Sequence, residues 1–516
     1  MENESRTKKT LRNITVGIIS KIILIILPFI NRTIIIWFLG AQYLGIRSLY
    51  TSILEVLNLS ELGLSIAVVY SMYGLIAQSD TDRICELLNY FRRTYIWISV
   101  VIFVAGLVIL PALPWLISGE YSSDINIYIL FLIYLFQTIS SYIVVGYKGV
   151  ILNAYQRMDI ASGVQMLTLV GQQILQFVVL MLIKNYYAYA IVAPIFTIAN
   201  NLMISYICKR MYPELTCCGK ISAEMKSKLN KQISGLLIDR MSVAIRNSSD
   251  NIVISAMFGL TVLSKYSNYY YIMFTGVYGT LLFLIQAIQA SVGDSIARES
   301  QEKNYHDFIN FNFLFAWLNV CSVTCMYALF QPFISIWIGA ENLLARHEMI
   351  LFCVYGYLFN VCSPINPYFD GNGLWEKVKK SILVCTILNI VLNVILGKII
   401  GISGIIISTV ICLIIPYIFG RIHIIYKHYF KDYRESDYYA RQAIYLLATV
   451  ISCVLVSIII SLINISNSVN GLLIRFFICV LVSSITMFTL LNKTHDYEVG
   501  KEFIKTHIFL RGRKKI

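Results

Sequence analysis

Charge is what this sequence has least of. Of its 516 residues only 14% are Asp, Glu, Lys or Arg, whereas 58% are hydrophobic, and the mean hydropathy is +0.70. A soluble chain of this length needs far more charge to stay dispersed, so the composition points to an integral membrane protein. ATP-driven pumping lacks its parts. There is no G-x-x-x-x-G-K-[ST] loop, and no segment between apolar runs is long enough for a nucleotide-binding domain. Metal chemistry lacks ligands as well: the six histidines are scattered, H-E-x-x-H is absent, and Cys217 and Cys218 have no zinc-type spacing. Most of the twelve cysteines sit inside apolar runs, where a buried free thiol is the plain reading. No cofactor is expected beyond coupling to an H+ or Na+ gradient.

What the sequence does hold is a series of runs long enough to cross a bilayer, which takes about 20 apolar residues. Fourteen spans are predicted, near 14–39, 46–75, 92–117, 125–147, 160–183, 186–208, 232–258, 263–292, 308–337, 348–369, 380–398, 402–426, 441–464 and 470–491. In the third, "LPALPW" places Pro111 and Pro114 where the helix should end. The first run is too long for a signal-peptide core and has no convincing cleavage site, so it is expected to remain as a helix.

Lysine and arginine orient these spans. One set of connections, with both termini, carries 32 of them, and the alternate set carries four: Lys184, Lys265, Arg346 and Lys398. The positive-inside bias then puts both termini in the cytoplasm. The net charge of +14 is spread over short clusters rather than one block, which argues against nucleic acid. The connections on the other side are about ten residues or fewer. A membrane enzyme acting on polyprenyl-linked sugars would need paired carboxylates there, and only Glu120, Asp124, Glu341 and Glu348 are available. The chain therefore reads as a transporter rather than an enzyme.

An internal repeat is also visible. At a shift of 219, "NRTIIIWFLGAQYLGIRSLYTSIL" (31–54) falls on "DNIVISAMFGLTVLSKYSNYYYIM" (250–273), matching Gly40 with Gly259, Leu44 with Leu263, Ser48 with Ser267 and Tyr50 with Tyr269. At a shift of 221, "ILFLIY" (129–134) meets "ILFCVY" (350–355). The unit is six spans, repeated once, with spans 13 and 14 appended. Because six is even, the two copies enter the membrane in the same sense, and a substrate site is expected between parallel halves. The divisions implied are 1–215, 216–430 and 431–516.

Charges inside spans are the candidate site residues, since each costs roughly 2.5–3.5 kcal/mol at the bilayer centre. Lys21 and Arg32 are eleven residues apart and share one face of the first span. Arg47 reads as nearer the outer interface. The shift of 219 pairs Lys21 with Arg240, and in the seventh span Asp239, Arg246 and Asp250 form one stripe. An ion pair among them would explain their tolerance but not their presence, because buried pairs are replaced by apolar residues at little cost. Glu55 and Glu61 lie in "EVLNLSELGLS" of the second span, where protonation would make them tolerable and proton coupling would give them a use.

"FLGAQYLGIRSLYTSILEVLNLSELGLSIAVVYSMY" resembles the second-helix signature of bacterial polysaccharide flippases, the Wzx-type exporters of O-antigen and capsule repeat units. "RNSSDNIVISAMFGLTVLSKYSNYY" is similar to the matching signature of helices 7 and 8, "YAIVAPIFTIANNLMISYICKRMYPEL" to the sixth helix, and "LFNVCSPINPYFDGNGLWEKVKKS" to the tenth and the loop after it. The resemblance covers residues 1–430 and extends loosely into the last two spans. It implies an all-α, multi-pass protein of the bacterial cell membrane, with two six-helix lobes around a V-shaped central cavity and two further C-terminal helices. The implied cargo is an undecaprenyl-diphosphate-linked oligosaccharide, moved from the cytoplasmic to the outer leaflet for surface polysaccharide synthesis. A polysaccharide polymerase and glycosyltransferases would be its further partners. Cations would line the cavity, here Lys21, Arg32, Arg240 and Arg246, with Arg47 at the edge of that route; Asp239, Asp250, Glu55 and Glu61 are candidates for coupling or ion pairing. The same superfamily includes a lipid II flippase, which should carry a denser run of arginines in its first two helices, and multidrug antiporters, which should carry an acidic cavity.

Overall fold

The computed structural model describes residues 23, 25–58, 64–119 and 121–492, apart from a few side chains, among them those of 230–240. Among these residues all regular structure is helical. The chain divides into two compact units, Met1–Ser264 and Lys265–Ile516.

The first unit holds α1 (Ile25–Phe38), α2 (Ala41–Leu57), α3 (Leu64–Ala77), α4 (Thr81–Ile109), α5 (Ile127–Ile143), α6 (Gly149–Ala154), α7 (Met158–Ile183), α8 (Tyr186–Met211) and most of α9 (Ala223–Tyr271). The α4 helix does end ahead of Pro111, and a 3-10 segment, Leu110–Leu116, follows. The second unit holds α10 (Gly279–Arg298), α11 (Gln301–Ile338), α12 (Arg346–Val361), α13 (Asn366–Asn372), α14 (Trp375–Ile400), α15 (Ile402–Leu413), α16 (Arg421–His428), α17 (Glu435–Ile463) and α18 (Val469–Leu491).

Ten of the described segments are long and apolar enough to cross a membrane, and eleven if the bent pair α5–α6 counts as one span. The longest, Met241–Arg298, covers two of the predicted spans. The protein is therefore an all-α polytopic membrane protein. Its burial pattern agrees. Trp97, Leu182, Ile399 and Leu462 stand exposed on long apolar helices, whereas Asn389, Asn393, Thr324 and Ser452 are fully buried between helices. In lipid the apolar face needs no cover, and polar side chains serve as the interhelical contacts.

The repeat is visible in the backbone. Gly40, between α1 and α2, has φ 106° and ψ 169°; Gly259, which breaks α9, has φ 82° and ψ 177°. This region is essentially closed to residues with a Cβ, so both turns require glycine. These are the two glycines that the shift of 219 superposes. Side chains repeat too. Tyr50 meets Phe131 at a ring distance of 5.4 Å, and Tyr269 meets Phe352 at 5.7 Å. The helices α7 and α14 are both 26 residues long and begin 217 positions apart.

The first unit is drawn tight by one close crossing. A Cβ at Gly45 would lie 2.0 Å from the Leu260 carbonyl oxygen, so α2 and the last part of α9 approach at a distance only glycine permits. Nearby, Ser118 N–H donates to the Ser255 carbonyl at 3.0 Å. In the second unit, aromatic side chains of α11, α13, α16, α17 and the turn after α16 form one large core that includes Phe308, Tyr368, Tyr426, Phe430 and Tyr438.

Candidate functional site

Four helices of the first unit each turn one stripe toward a common cavity of about 490 Å³. From α2 come Arg47, Thr51 and Glu55, spaced four apart; α5 supplies Tyr134, Gln137, Thr138 and Ser141. The α7 stripe is Gln172 and Gln176, and α8 brings Tyr189, Ala190, Ala193 and Thr197. Residues three and four apart lie on one helix face, so each stripe is what a single helix can present. Twelve of the fifteen lining residues are polar; the exceptions are Leu54, Ala190 and Ala193. Pro194 also lacks the N–H that would bond the Ala190 carbonyl one turn back.

Arg47 is held, not loose. Its Nη1 donates to Asn31 Oδ1 and, at 3.2 Å, to the Tyr189 hydroxyl. The Tyr189 hydroxyl itself donates to Asn31 Oδ1 at 2.6 Å. Asn31 is fully buried, and its Nδ2 donates to Gln173 Oε1 at 2.5 Å and Gln176 Oε1 at 3.1 Å. Gln176 Nε2 closes the circuit on the Tyr189 carbonyl at 3.2 Å. Four helices thus fix one guanidinium at the cavity wall. Buried networks of this kind hold their members in one geometry when each is satisfied.

Glu55, two turns along α2, is exposed to the same cavity, and its Oε2 accepts from Ser248 Oγ at 3.3 Å. One cation and one carboxylate among twelve polar lining residues make a site rich in amides and hydroxyls, with charge at two points.

The other sequence candidates fall elsewhere. Arg246 and Asp250 are buried in α9, at 5% and 2% exposure, and do not line this cavity. Arg32 is half-buried on α1 and is likewise absent from the lining, although its neighbour Asn31 anchors Arg47. Lys21 and Glu61 lie outside the described residues, as do the side chains of Asp239 and Arg240. Arg475, another cation inside an apolar helix, has a structural use: it donates to the Ile465 carbonyl at 2.8 Å and to Asn467 Oδ1 at 3.0 Å, tying down the loop before α18.

Sequence reading passed over Asn31, Gln172, Gln173, Gln176 and Tyr189. A signal was present in "GQQILQF" (171–177), three glutamines within one turn and a half of an otherwise apolar span. Neutral amides cost less than charges in lipid and commonly join helices, so they attract less notice.

No protein-family model matches the sequence, and no curated protein matches it either. Solved structures do. The "lipid II flippase MurJ, inward closed conformation" aligns with a TM-score of 0.66 at 16% identity, over 93% of this chain and 98% of that one. The chain shares the fold of that structure. A multidrug resistance MATE family transporter of the MOP superfamily, in an inward-facing conformation, aligns at 0.60 and 16% identity, over 77% of this chain and 94% of that one. A MOP superfamily transporter from Pyrococcus furiosus, described by the reverse polarity of its binding pocket, aligns at 0.51 and 15% identity over 81% and 94%.

Proposed function

We propose that this protein is a flippase for undecaprenyl-diphosphate-linked oligosaccharide repeat units, carrying them from the cytoplasmic to the outer leaflet of a bacterial cell membrane for surface polysaccharide synthesis. The observation that carries the reading is the cavity on α2, α5, α7 and α8. A space of about 490 Å³ lined by amides, hydroxyls and one fixed guanidinium, inside helices that are otherwise apolar, suits a polar headgroup. Sugar hydroxyls need paired donors and acceptors, which Gln137, Gln172, Gln176, Thr51 and Thr138 supply. A phosphate needs charge-assisted donors, which Arg47 supplies. Transport then consists of exposing this cavity to one leaflet and then to the other while the polyprenyl chain stays in lipid. Arg32, Arg246, Lys21 and Arg240 extend the cationic route, and Glu55, with Glu61, Asp239 and Asp250, is available for coupling to an H+ or Na+ gradient.

The test is transport of a fluorescent polyprenyl-diphosphate oligosaccharide in proteoliposomes. Arg47→Ala should slow it at least tenfold with the protein still folded. Unchanged rates in that variant would remove the cavity from the mechanism.

Glu55 supports a second reading. A carboxylate on the wall is what an organic-cation antiporter needs, and the similarity to a multidrug transporter fold leaves room for it. Efflux of small organic cations that Glu55→Gln abolishes and Arg47→Ala spares would favour that reading. Transport of a peptide-bearing lipid II in preference to other oligosaccharide carriers would instead favour lipid II as cargo.

A further inference from the structure

A second recess, of about 300 Å³, lies where α4, the turn before α6 and the end of α8 meet, on the side that the lysine and arginine distribution assigns to the cytoplasm. Arg92, Lys148 and Lys209 line it with Tyr147, Tyr212 and Cys217, and no lining residue is a carboxylate. Its walls are fixed. Lys148 N–H donates to the Val145 carbonyl at 3.1 Å, closing a turn whose Val145 has φ 48°, and Cys208 Sγ donates to the Lys148 carbonyl at 3.5 Å. The loop after α8 is pinned to α4 by Thr216 N–H to Cys85 Sγ at 3.3 Å and by Asn89 Nδ2 to the Gly219 carbonyl at 2.7 Å. Tyr147 and Tyr212 are buried within it.

The repeat provides an internal control. At the offset of 217 that relates α7 to α14, Lys148 falls on Ile365, Cys208 on Ile425, Lys209 on Tyr426 and Tyr212 on Tyr429. In the second unit Ile365, Ile425 and Tyr426 belong to the aromatic core, and Tyr429 packs against it. The same fold can therefore fill this place with apolar side chains. In the first unit it stays open and carries cations. Positive-inside bias accounts for lysines on an exposed connection, but not for three cations around a recess with structured walls. Like charges around a recess whose lining holds no carboxylate repel one another, and an entering anion relieves that repulsion while gaining charge-assisted hydrogen bonds.

We propose that this recess is a binding site for a phosphate-bearing anion, either the headgroup of a membrane lipid or a soluble phosphoanhydride. It is separate from the cavity on α2 and α7 and does not depend on what that cavity carries.

The experiment uses the full-length protein in nanodiscs of phosphatidylcholine, titrated with inorganic pyrophosphate by calorimetry. Saturable, salt-sensitive binding is expected, weakened at least tenfold in the triple variant Arg92→Gln, Lys148→Gln, Lys209→Gln. Lys148→Arg alone should keep it, and so should Lys220→Gln with Lys226→Gln, two cations outside the recess. In a parallel arm, phosphatidylglycerol replaces part of the phosphatidylcholine. If a lipid headgroup is the ligand, this raises the melting temperature of wild type more than of the triple variant and displaces pyrophosphate. If a soluble anion is the ligand, pyrophosphate binding is unchanged by phosphatidylglycerol. The proposal is overturned if triple variant and wild type bind pyrophosphate equally and respond equally to phosphatidylglycerol. It is overturned too if the Lys220 and Lys226 variant loses as much as the triple variant.

Discussion

The face of α2 that carries Arg47, Thr51 and Glu55 has a counterpart 219 residues on, made of Tyr266, Tyr270 and Phe274. The first face borders a polar cavity. The second is a ladder of rings, with centroids 6.3 Å apart from Tyr266 to Tyr270 and 5.2 Å from Tyr270 to Phe274, packed on Phe352, Tyr355 and Phe359. The helix pair behind each face differs in the same sense. In α7, Gln172 and Gln176 reach the cavity; 217 residues on, Asn389 and Asn393 of α14 are fully buried. Asn389 Nδ2 donates to Ser408 Oγ at 3.3 Å and to Thr409 Oγ1 at 3.2 Å, and Ser408 donates to Asn393. One backbone plan thus accepts either a polar cavity wall or a packed aromatic face. The asparagines are enclosed between helices, whereas the glutamines, although Gln176 also bonds its neighbours, border the cavity. What the fold needs is the glycine breaks and the Tyr–Phe contacts common to both copies; the cavity is an addition to one of them.

The widest contrast should come from mutating the two faces in parallel. Tyr266→Ala removes a ring buried to 1% exposure and should cost about 3 kcal/mol of stability, read as a large fall in melting temperature. Arg47→Ala should change the melting temperature far less, since Tyr189 and Gln176 still satisfy Asn31, yet it should cut transport at least tenfold. If both variants lose stability equally, the two faces are not functionally distinct. Next in size is the shared feature. Gly259→Ala forces a Cβ into a backbone region it avoids, with the Ser118 carbonyl oxygen 2.7 Å away, and should cost roughly 1–3 kcal/mol. Gly40→Ala meets the same torsional strain but open space, so its cost should be smaller. The order of the two melting temperatures checks this.

Asn389→Leu should come third. Interhelical hydrogen bonds in lipid contribute about 0.6 kcal/mol on average and about 1.7 at most, so a loss in that range is expected from removing the Asn389 bonds to Ser408 and Thr409. Gln172→Leu, at the matching position, has only a 3.5 Å contact to Gln176 to lose and should leave stability almost unchanged while altering which headgroups are carried. Equal stability losses would mean that Gln172 is glue like its counterpart.

Much of this was legible beforehand, for identifiable reasons. Hydropathy gave the spans because a bilayer imposes one length on all of them, and the repeat could be aligned because Gly40 and Gly259 have no substitute at their torsions. Helix interruptions were less visible. In the predicted second span, 46–75, α2 already ends at Leu57, and the tenth breaks after Val361 at the Ser363–Ile365 turn. A broken span keeps the composition of a continuous one, so hydropathy does not register it. Arg47 and Glu55 were detectable because charge in an apolar run is costly. Asn31 and Tyr189 were not, since their role depends on which way α1 and α8 face, which only tertiary packing sets. The cavity within the first unit holds a single arginine amid amides and hydroxyls.

The smallest effect belongs to the loop between α4 and α5. Asp124 accepts from Ser122 and from the Tyr43 hydroxyl, and these hydrogen bonds, Ser122 first, hold its carboxyl below the usual carboxylate range. A carboxylate with a depressed folded value adds stability that is complete above its ordinary pKa and is lost as pH falls through the lowered one. Asp124 is exposed, so solvent screening keeps the contribution under about 1 kcal/mol. Asp124→Asn should therefore lower the melting temperature slightly at neutral pH. The two proteins should converge in acid, where the wild-type carboxyl is protonated. A gap that persists at low pH would mean that the side chain's shape, rather than its charge, secures Tyr43.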